Sequence, residues 1–139
     1  MSFFKYWLNP GNSEFKMDIV LFMLRIVFGG FMLLHGYSKL QSLLSGSTDF
    51  PDPIGIGPQS SLALTVFAEF LCALLVIFGL MTKLALIPLM ITMMVAAFIV
   101  HAQDPIGDKE QALLYLFAYY AIYLAGPGRF SLDHKIFKP

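Results

Sequence analysis

Hydrophobic residues fall into four long runs separated by shorter polar segments. The runs cover residues 18–40, 60–81, 84–101 and 112–126. The first three are close to the ~20 residues that a helix needs to cross a ~30 Å hydrocarbon core, and the fourth, shorter run can cross with little tilt. The pattern predicts an all-α protein in which residues 1–139 form one membrane domain with four transmembrane helices.

The polar segments between the runs suggest how the helices are connected. The second and third runs are separated by little more than Thr82 and Lys83, so these two helices should be antiparallel neighbours. Residues 45–60 are rich in Gly, Pro, Ser and Asp, which is typical of a loop. The simplest architecture is an up-and-down four-helix bundle. The aromatic segment 3–8, with one lysine, predicts a short helix lying at the headgroup level.

Composition agrees with a membrane protein and excludes several other classes. The chain is 58% hydrophobic and 13% charged, whereas soluble domains carry about 25% charged residues. A net charge of zero offers no basic surface for nucleic acid. Cys72 is the one cysteine, so redox chemistry would need a bound cofactor, a quinone or the thiols of a partner. We expect no cleaved signal peptide, because the first apolar run is long and no small-x-small site precedes it.

The positive charges are distributed unequally between the two sides. With the N-terminus inside, the outer side keeps only Lys39 and Lys109, among several acidic residues. The remaining cations fall on the inner side: Lys5, Lys16, Lys83, Arg129, Lys135 and Lys138. This asymmetry predicts that both termini are cytoplasmic.

Ionisable side chains within the apolar runs are the main functional signal: Arg25, His35, Lys39, Glu69 and His101. A charge at mid-bilayer costs roughly 2.5–3.5 kcal/mol on insertion scales. Such groups are retained when they face each other, water or a ligand. Helical periodicity places Arg25 and Lys39 on one stripe with His35 beside it, so these groups should face the other helices.

Arg25 and Glu69 are predicted to form an ion pair inside the bundle. Arg25 lies about two turns from the inner end of its helix, and Glu69 lies near the middle of the next one. Pairing is the least costly way to keep either charge there, since removing one partner strands the other. We interpret the pair first as a structural link between helices, with a catalytic couple as the alternative.

A second polar group should gather in the outer leaflet. His35, Lys39 and His101 lie at similar heights, with Asp104 following the third helix and Tyr115 on the fourth. Together with Glu69 they are candidate proton donors and acceptors, with Tyr115 and Asp104 as candidate substrate-binding residues. The alternative is a hydrogen-bonded scaffold. Two histidines on different helices could ligate haem, but nothing else in the sequence favours it. A zinc site would lack a good third ligand, so we expect no metal.

The residues resemble the DoxX family. The resemblance rests on the run Leu24–Lys39, Glu69, the closing Gly79–Thr82 and the terminal Gly126–Asp133, and it covers nearly the whole chain after Met17. It implies a four-span protein of the bacterial or archaeal cytoplasmic (inner) membrane. Members are described as subunits of quinol oxidases or of thiosulfate:quinone oxidoreductases, or have no described activity.

The resemblance carries over to single residues, with one departure. Arg25, His35, Lys39 and Glu69 match the family's polar positions. Many members have two glycines after the glutamate, where this chain has Cys72 and Ala73.

Three functions remain open. The first is an accessory subunit of a redox system that contacts quinone at the outer-leaflet pocket. The second is a non-enzymatic assembly or scaffold subunit that docks a larger partner. The third is a small solute or proton conduit with Glu69 in its path. The expected partners are the lipid bilayer and either a larger membrane complex or further copies of the chain.

Overall fold

The computed structural model describes Phe3, Leu8 and residues 13–137, and the regular structure in these residues is helical throughout. The headgroup-level helix predicted over residues 3–8 lies outside the described residues, apart from Phe3 and Leu8. The helices are α1 (Glu14–Leu44), α2 (Pro58–Phe78), α3 (Thr82–Val100), α4 (Ile106–Ala125) and α5 (Leu132–Phe137).

Helices α1, α2 and α3 are long and apolar enough to cross a membrane. The 31 residues of α1 extend about 46 Å at 1.5 Å per residue, which exceeds the ~30 Å hydrocarbon core. Helix α4 has 20 residues, but its first turns carry Asp108, Lys109 and Glu110. These charges shorten its apolar part to the segment that follows them.

The helices pack through a core made mostly of small and branched side chains, and many large apolar residues point outward. Among the fully buried residues are Ala73, Val76, Leu86, Leu89, Tyr119 and Ile122. Among the exposed ones are Phe31, Leu34, Phe98, Leu114, Phe117 and Leu124. An exterior this rich in apolar side chains suits a lipid environment rather than water.

Two helices change their winding partway along. Helix α2 is π-helical over Phe67–Cys72, and α3 is π-helical over Ala96–Val100. A π-helical turn holds an extra residue, so the side chains after it point in a new direction, and such turns are frequent at functional sites. Glu69 lies inside the first segment, and His101 follows the second directly.

The molecule has two ends that we name by what they contain. The terminal side holds the start of α1, the link between α2 and α3 and residues 126–137. The loop side holds the connections 45–57 and 101–105 and the helix segments that adjoin them.

On the terminal side, the link between α2 and α3 is closed by Asp133. The carboxylate of Asp133 accepts hydrogen bonds from the backbone N–H groups of Met81 (2.7 Å) and Thr82 (2.8 Å). Its own N–H donates to the carbonyl oxygen of Gly79 at 2.8 Å. Because the first N–H groups of a helix lack partners within the helix, Asp133 caps α3 from a distant part of the chain.

Candidate functional site

Glu69 is the buried carboxylate around which the loop side is built. It is 3% exposed, and the Nζ of Lys39 donates a hydrogen bond to its Oε2. The Lys39 side chain is 32% exposed, against 4% for that of Glu69. The pair therefore joins α1 to α2, with the carboxylate buried between the helices and the Lys39 side chain partly exposed.

A close approach of two backbones places this pair. A Cβ added at Gly36 would overlap the carbonyl group of Glu69 and come within 2.6 Å of the backbone nitrogen of Phe70. Only a residue without a side chain permits this contact between α1 and the π-helical part of α2. Gly36 therefore sets the height at which Glu69 meets α1.

The predicted ion pair between Arg25 and Glu69 is wrong. Glu69 lies level with Gly36, and Arg25 precedes Gly36 by eleven positions, which correspond to about 16 Å along the helix axis. Lys39 is less than one turn from Gly36, so it takes the carboxylate instead. The depths of Arg25 and Glu69 were measured from opposite ends of two antiparallel helices, and the sequence does not give the offset between those helices along their axes.

Arg25 is held by backbone carbonyl groups on the terminal side. Its guanidinium group donates to the oxygens of Pro127 (3.0 Å), Phe130 (2.7 Å) and, more weakly, Ile77 (3.5 Å). The residue is 1% exposed. Arg25 thus fastens the segment after α4 to the ends of α1 and α2, and it has no part in the loop-side group.

A polar cavity of about 180 Å³ opens beside the Lys39–Glu69 pair. It brings together five of the six residues predicted for an outer-leaflet site: His35, Lys39, Glu69, His101 and Tyr115. The sixth, Asp104, does not line the cavity. Its Oδ2 lies 2.7 Å from the Nδ1 of His101, so it holds that ring from outside.

Gln111 also lines this cavity and was not among the residues predicted from the sequence. Its Nε2 lies 3.2 Å from the Nε2 of His35, linking α4 to α1. The ring of His35 also makes an edge-to-face contact with Tyr115, at 6.2 Å between ring centroids. Gln111 precedes Tyr115 by one helical turn, and this spacing was a usable signal.

A second, mostly apolar cavity of about 290 Å³ lies on the other side of the pair. It is bounded by part of the 45–57 loop and by the facing sides of α2 and α3. Its lining includes Phe50, Pro51, Pro53, Ile54, Leu64, Ile91 and Val95. Hydropathy gave no sign of it, because these side chains read as ordinary loop and lipid-facing residues.

The chemistry available at the site is hydrogen bonding and proton exchange. A buried carboxylate, an ammonium group and two imidazoles surround the polar cavity. In the part of the chain that the structure describes, no three His, Cys, Asp or Glu side chains are grouped as metal ligands.

Comparison with known proteins gives the family. The DoxX family model matches residues 20–102. "Putative oxidoreductase CatD" of Bacillus subtilis (strain 168) is 30% identical over 129 residues, which cover 91% of this chain and 92% of that protein. An "Uncharacterized protein" of Haemophilus influenzae (strain ATCC 51907 / DSM 11121 / KW20 / Rd) is 31% identical over 138 residues, covering 91% and 98%. No solved structure matches significantly. The chain belongs to the DoxX family.

Proposed function

We propose that this DoxX-family chain is a single four-span domain of the bacterial or archaeal cytoplasmic membrane. Helices α1 to α4 would form an up-and-down bundle with both termini in the cytoplasm. The cations at the helix ends support this orientation, because Lys16, Lys83, Arg129 and Lys135 all belong to the terminal side. The loop side carries acidic residues: Asp49, Asp52, Asp104, Asp108 and Glu110.

Within that membrane, we propose that the protein is a subunit of a redox system and binds a quinone in the polar cavity. One observation carries the proposal. The buried carboxylate of Glu69 is paired with the partly exposed Lys39, and the pair lines a cavity that two histidines also line. An intramembrane charge at a cavity is a mark of substrate or proton pathways. The name of the Bacillus subtilis relative, which includes the word oxidoreductase, points the same way.

The chemistry of quinones fits these side chains. Reduction of a quinone to a quinol adds two electrons and two protons, the protons going to the two carbonyl oxygens. In the proposed site Lys39 donates a hydrogen bond to one oxygen, while Glu69, His35 and His101 exchange protons. The chain has the single cysteine Cys72 and therefore no internal dithiol. We assign the supply of electrons to a partner protein of the same membrane complex.

A scaffold subunit without catalytic activity is the second candidate. It is favoured by the use of polar groups as ties between helices. Lys39 and Glu69 join α1 to α2, and Arg25 joins α1 to the segment after α4. In this case the protein would serve to assemble a larger membrane complex.

Gentle purification from native membranes, followed by quinone extraction and identification of co-purifying proteins, tests the two candidates. The variants His35→Gln and His101→Gln should lower the quinone content of the purified protein. His134→Gln is the matched control, because His134 lies on the terminal side, away from the cavity. Bound quinone in the wild type and a loss confined to the first two variants support the redox proposal. A stable partner without any quinone supports the scaffold.

A further inference from the structure

The polar and apolar cavities are separated by a wall that both of them share. Lys39, Glu69, Ala96 and His101 line the two cavities at once. Three of these residues present hydrogen-bonding groups, and Ala96 presents only a methyl group. Ala96, which has the smallest side chain of the four, also begins the π-helical part of α3.

The apolar cavity offers few free polar groups of its own. The hydroxyl of Thr65 donates to the carbonyl oxygen of Ser61, and that of Thr92 to the carbonyl oxygen of Pro88, each at 2.8 Å. With these donors used within their own helices, the threonines present mainly methyl groups. The polarity of this cavity is therefore concentrated at the shared wall.

The apolar cavity also reaches the outer surface of the packed helices. Leu64 and Ile91, from its two sides, are 56% and 51% exposed, on faces where the neighbouring side chains suit lipid. Its volume of about 290 Å³ is just below the roughly 300–1,000 Å³ of known ligand pockets. A hydrocarbon chain could thus enter from the lipid between α2 and α3.

We propose that the two cavities form one divided site for a quinone that carries a hydrocarbon tail. The ring lies in the polar cavity, and the tail crosses over Ala96 into the apolar cavity beneath Phe50–Ile54. Ala96 is then the residue that determines whether a tailed quinone fits. This inference rests on the proposed quinone function and adds to it the class of quinone, the place of its tail and its route of entry.

The test uses Ala96→Leu and two probes, a tail-less benzoquinone and the same ring with a decyl chain. Binding is measured by equilibrium dialysis against the full-length protein in lipid nanodiscs, with empty nanodiscs subtracted. Affinity gained by the tail alone is not informative, because lipid is as apolar as the cavity. A larger residue at position 96 should instead lower the affinity for the tailed quinone at least tenfold and the affinity for the tail-less ring less than threefold.

A second variant and a control keep the result independent of folding. Val95→Phe fills the apolar cavity from another position and should give the same selective loss. Ala121→Leu makes the same change as Ala96→Leu on the exposed face of α4 and should alter neither affinity. Equal losses for both probes, or no loss for either, would overturn the divided site while leaving quinone binding intact. Failure of the wild type to bind either probe would overturn the proposed function and this inference with it.

Discussion

The two sides of the molecule each bury an ionised side chain, and they do so in different ways. On the terminal side, the guanidinium group of Arg25 donates to the backbone carbonyl groups of Pro127 and Phe130, and Arg25 lines neither of the two cavities described above. On the loop side, Glu69 receives one ammonium group, that of Lys39, and the pair is bordered by two cavities. In the first arrangement the protein itself supplies carbonyl acceptors for both terminal nitrogens of the guanidinium group, and the buried Nε has no hydrogen-bond partner among the described residues. In the second arrangement, the ammonium and carboxylate groups border cavities, so either group can form a hydrogen bond to a ligand in place of the other. This access to a cavity is the physical distinction between a structural tie and a candidate binding site.

The comparison is tested first by removing the charge on the terminal side. Arg25→Met should lower the free energy of unfolding by about 3–5 kcal/mol, since each hydrogen bond to a charged group contributes roughly 1.5–3 kcal/mol and two short ones are lost. Lys16→Met removes a cation from the exposed first turn of the same helix and should have little effect. Unfolding in mixed micelles, followed by circular dichroism, measures both. Equal stability of the two variants would show that Arg25 is not a structural tie.

Gly36→Ala tests the contact that positions the loop-side pair. The new Cβ would overlap the carbonyl group of Glu69, so α1 and α2 must move apart, at a cost of about 2–3 kcal/mol. Gly30→Ala is the matched control, because a Cβ at Gly30 meets nothing within 4 Å. Replacing a glycine inside a helix where there is space should leave stability unchanged or slightly raised. The same unfolding assay separates the two, and a stable Gly36→Ala protein would contradict the close approach.

Variants of the loop-side pair should differ from those of Arg25, because their effect on protein stability can be separated from their effect on quinone binding. Either Lys39→Met or Glu69→Gln removes one partner and should cost about 1–2 kcal/mol, less than for a fully buried pair because Lys39 is partly exposed. The double variant removes both groups and should recover most of the lost stability. Quinone binding should be lost in all three proteins. A double variant that is stable and still binds quinone would assign the pair to structure alone.

The positions of the helices could be predicted from the sequence, but several of their contacts could not. A helix lies at each of the four apolar runs, because hydropathy reports burial in lipid or in a core directly. The pairing of Glu69 depended on its height against α1, which Gly36 and a π-helical segment set together. Neither the π-helical winding nor the offset between two helices leaves a trace in hydropathy, so Arg25 was assigned the wrong partner.

The residues of the candidate site could be predicted from the sequence, but the cavities that they line could not. His35, Lys39 and His101 were identified as ionisable residues within apolar runs. Such residues are costly to bury in a membrane, so their presence there indicates a polar site. The apolar cavity depends on how a loop of Pro and Phe residues folds back over α2 and α3. That fold is set by contacts of Asp52 with the backbone and with Ser61, which are specific to the three-dimensional structure.

The smallest expected effect concerns the 45–57 loop and the pH below which it loosens from the apolar cavity. Asp52 accepts hydrogen bonds from the hydroxyl of Ser61 (2.8 Å) and from the backbone N–H groups of Ile56 (3.0 Å) and Gly57 (2.8 Å). The Ser61 hydroxyl, followed by the backbone donors, lowers the pKa of Asp52 below its usual value of 3.8. A carboxylate with a lowered pKa in the folded state contributes stability that is present above its unfolded pKa and lost as the pH falls through the folded one.

The loop should therefore stay closed over the apolar cavity at pH values above 3.8 and loosen only below that value, as Asp52 becomes protonated. Hydrogen exchange of the amides of Ile56 and Gly57, corrected for the intrinsic pH dependence of exchange, measures this opening. Asp52→Asn, which is neutral and of similar size, should abolish the pH dependence, whereas Asp49→Asn nearby in the loop should retain it. If exchange at these amides follows the same acid profile in all three proteins, another group holds the loop. The loop side would then be closed by contacts other than the Asp52 carboxylate, and its contrast with the terminal side would rest on the Lys39–Glu69 pair alone.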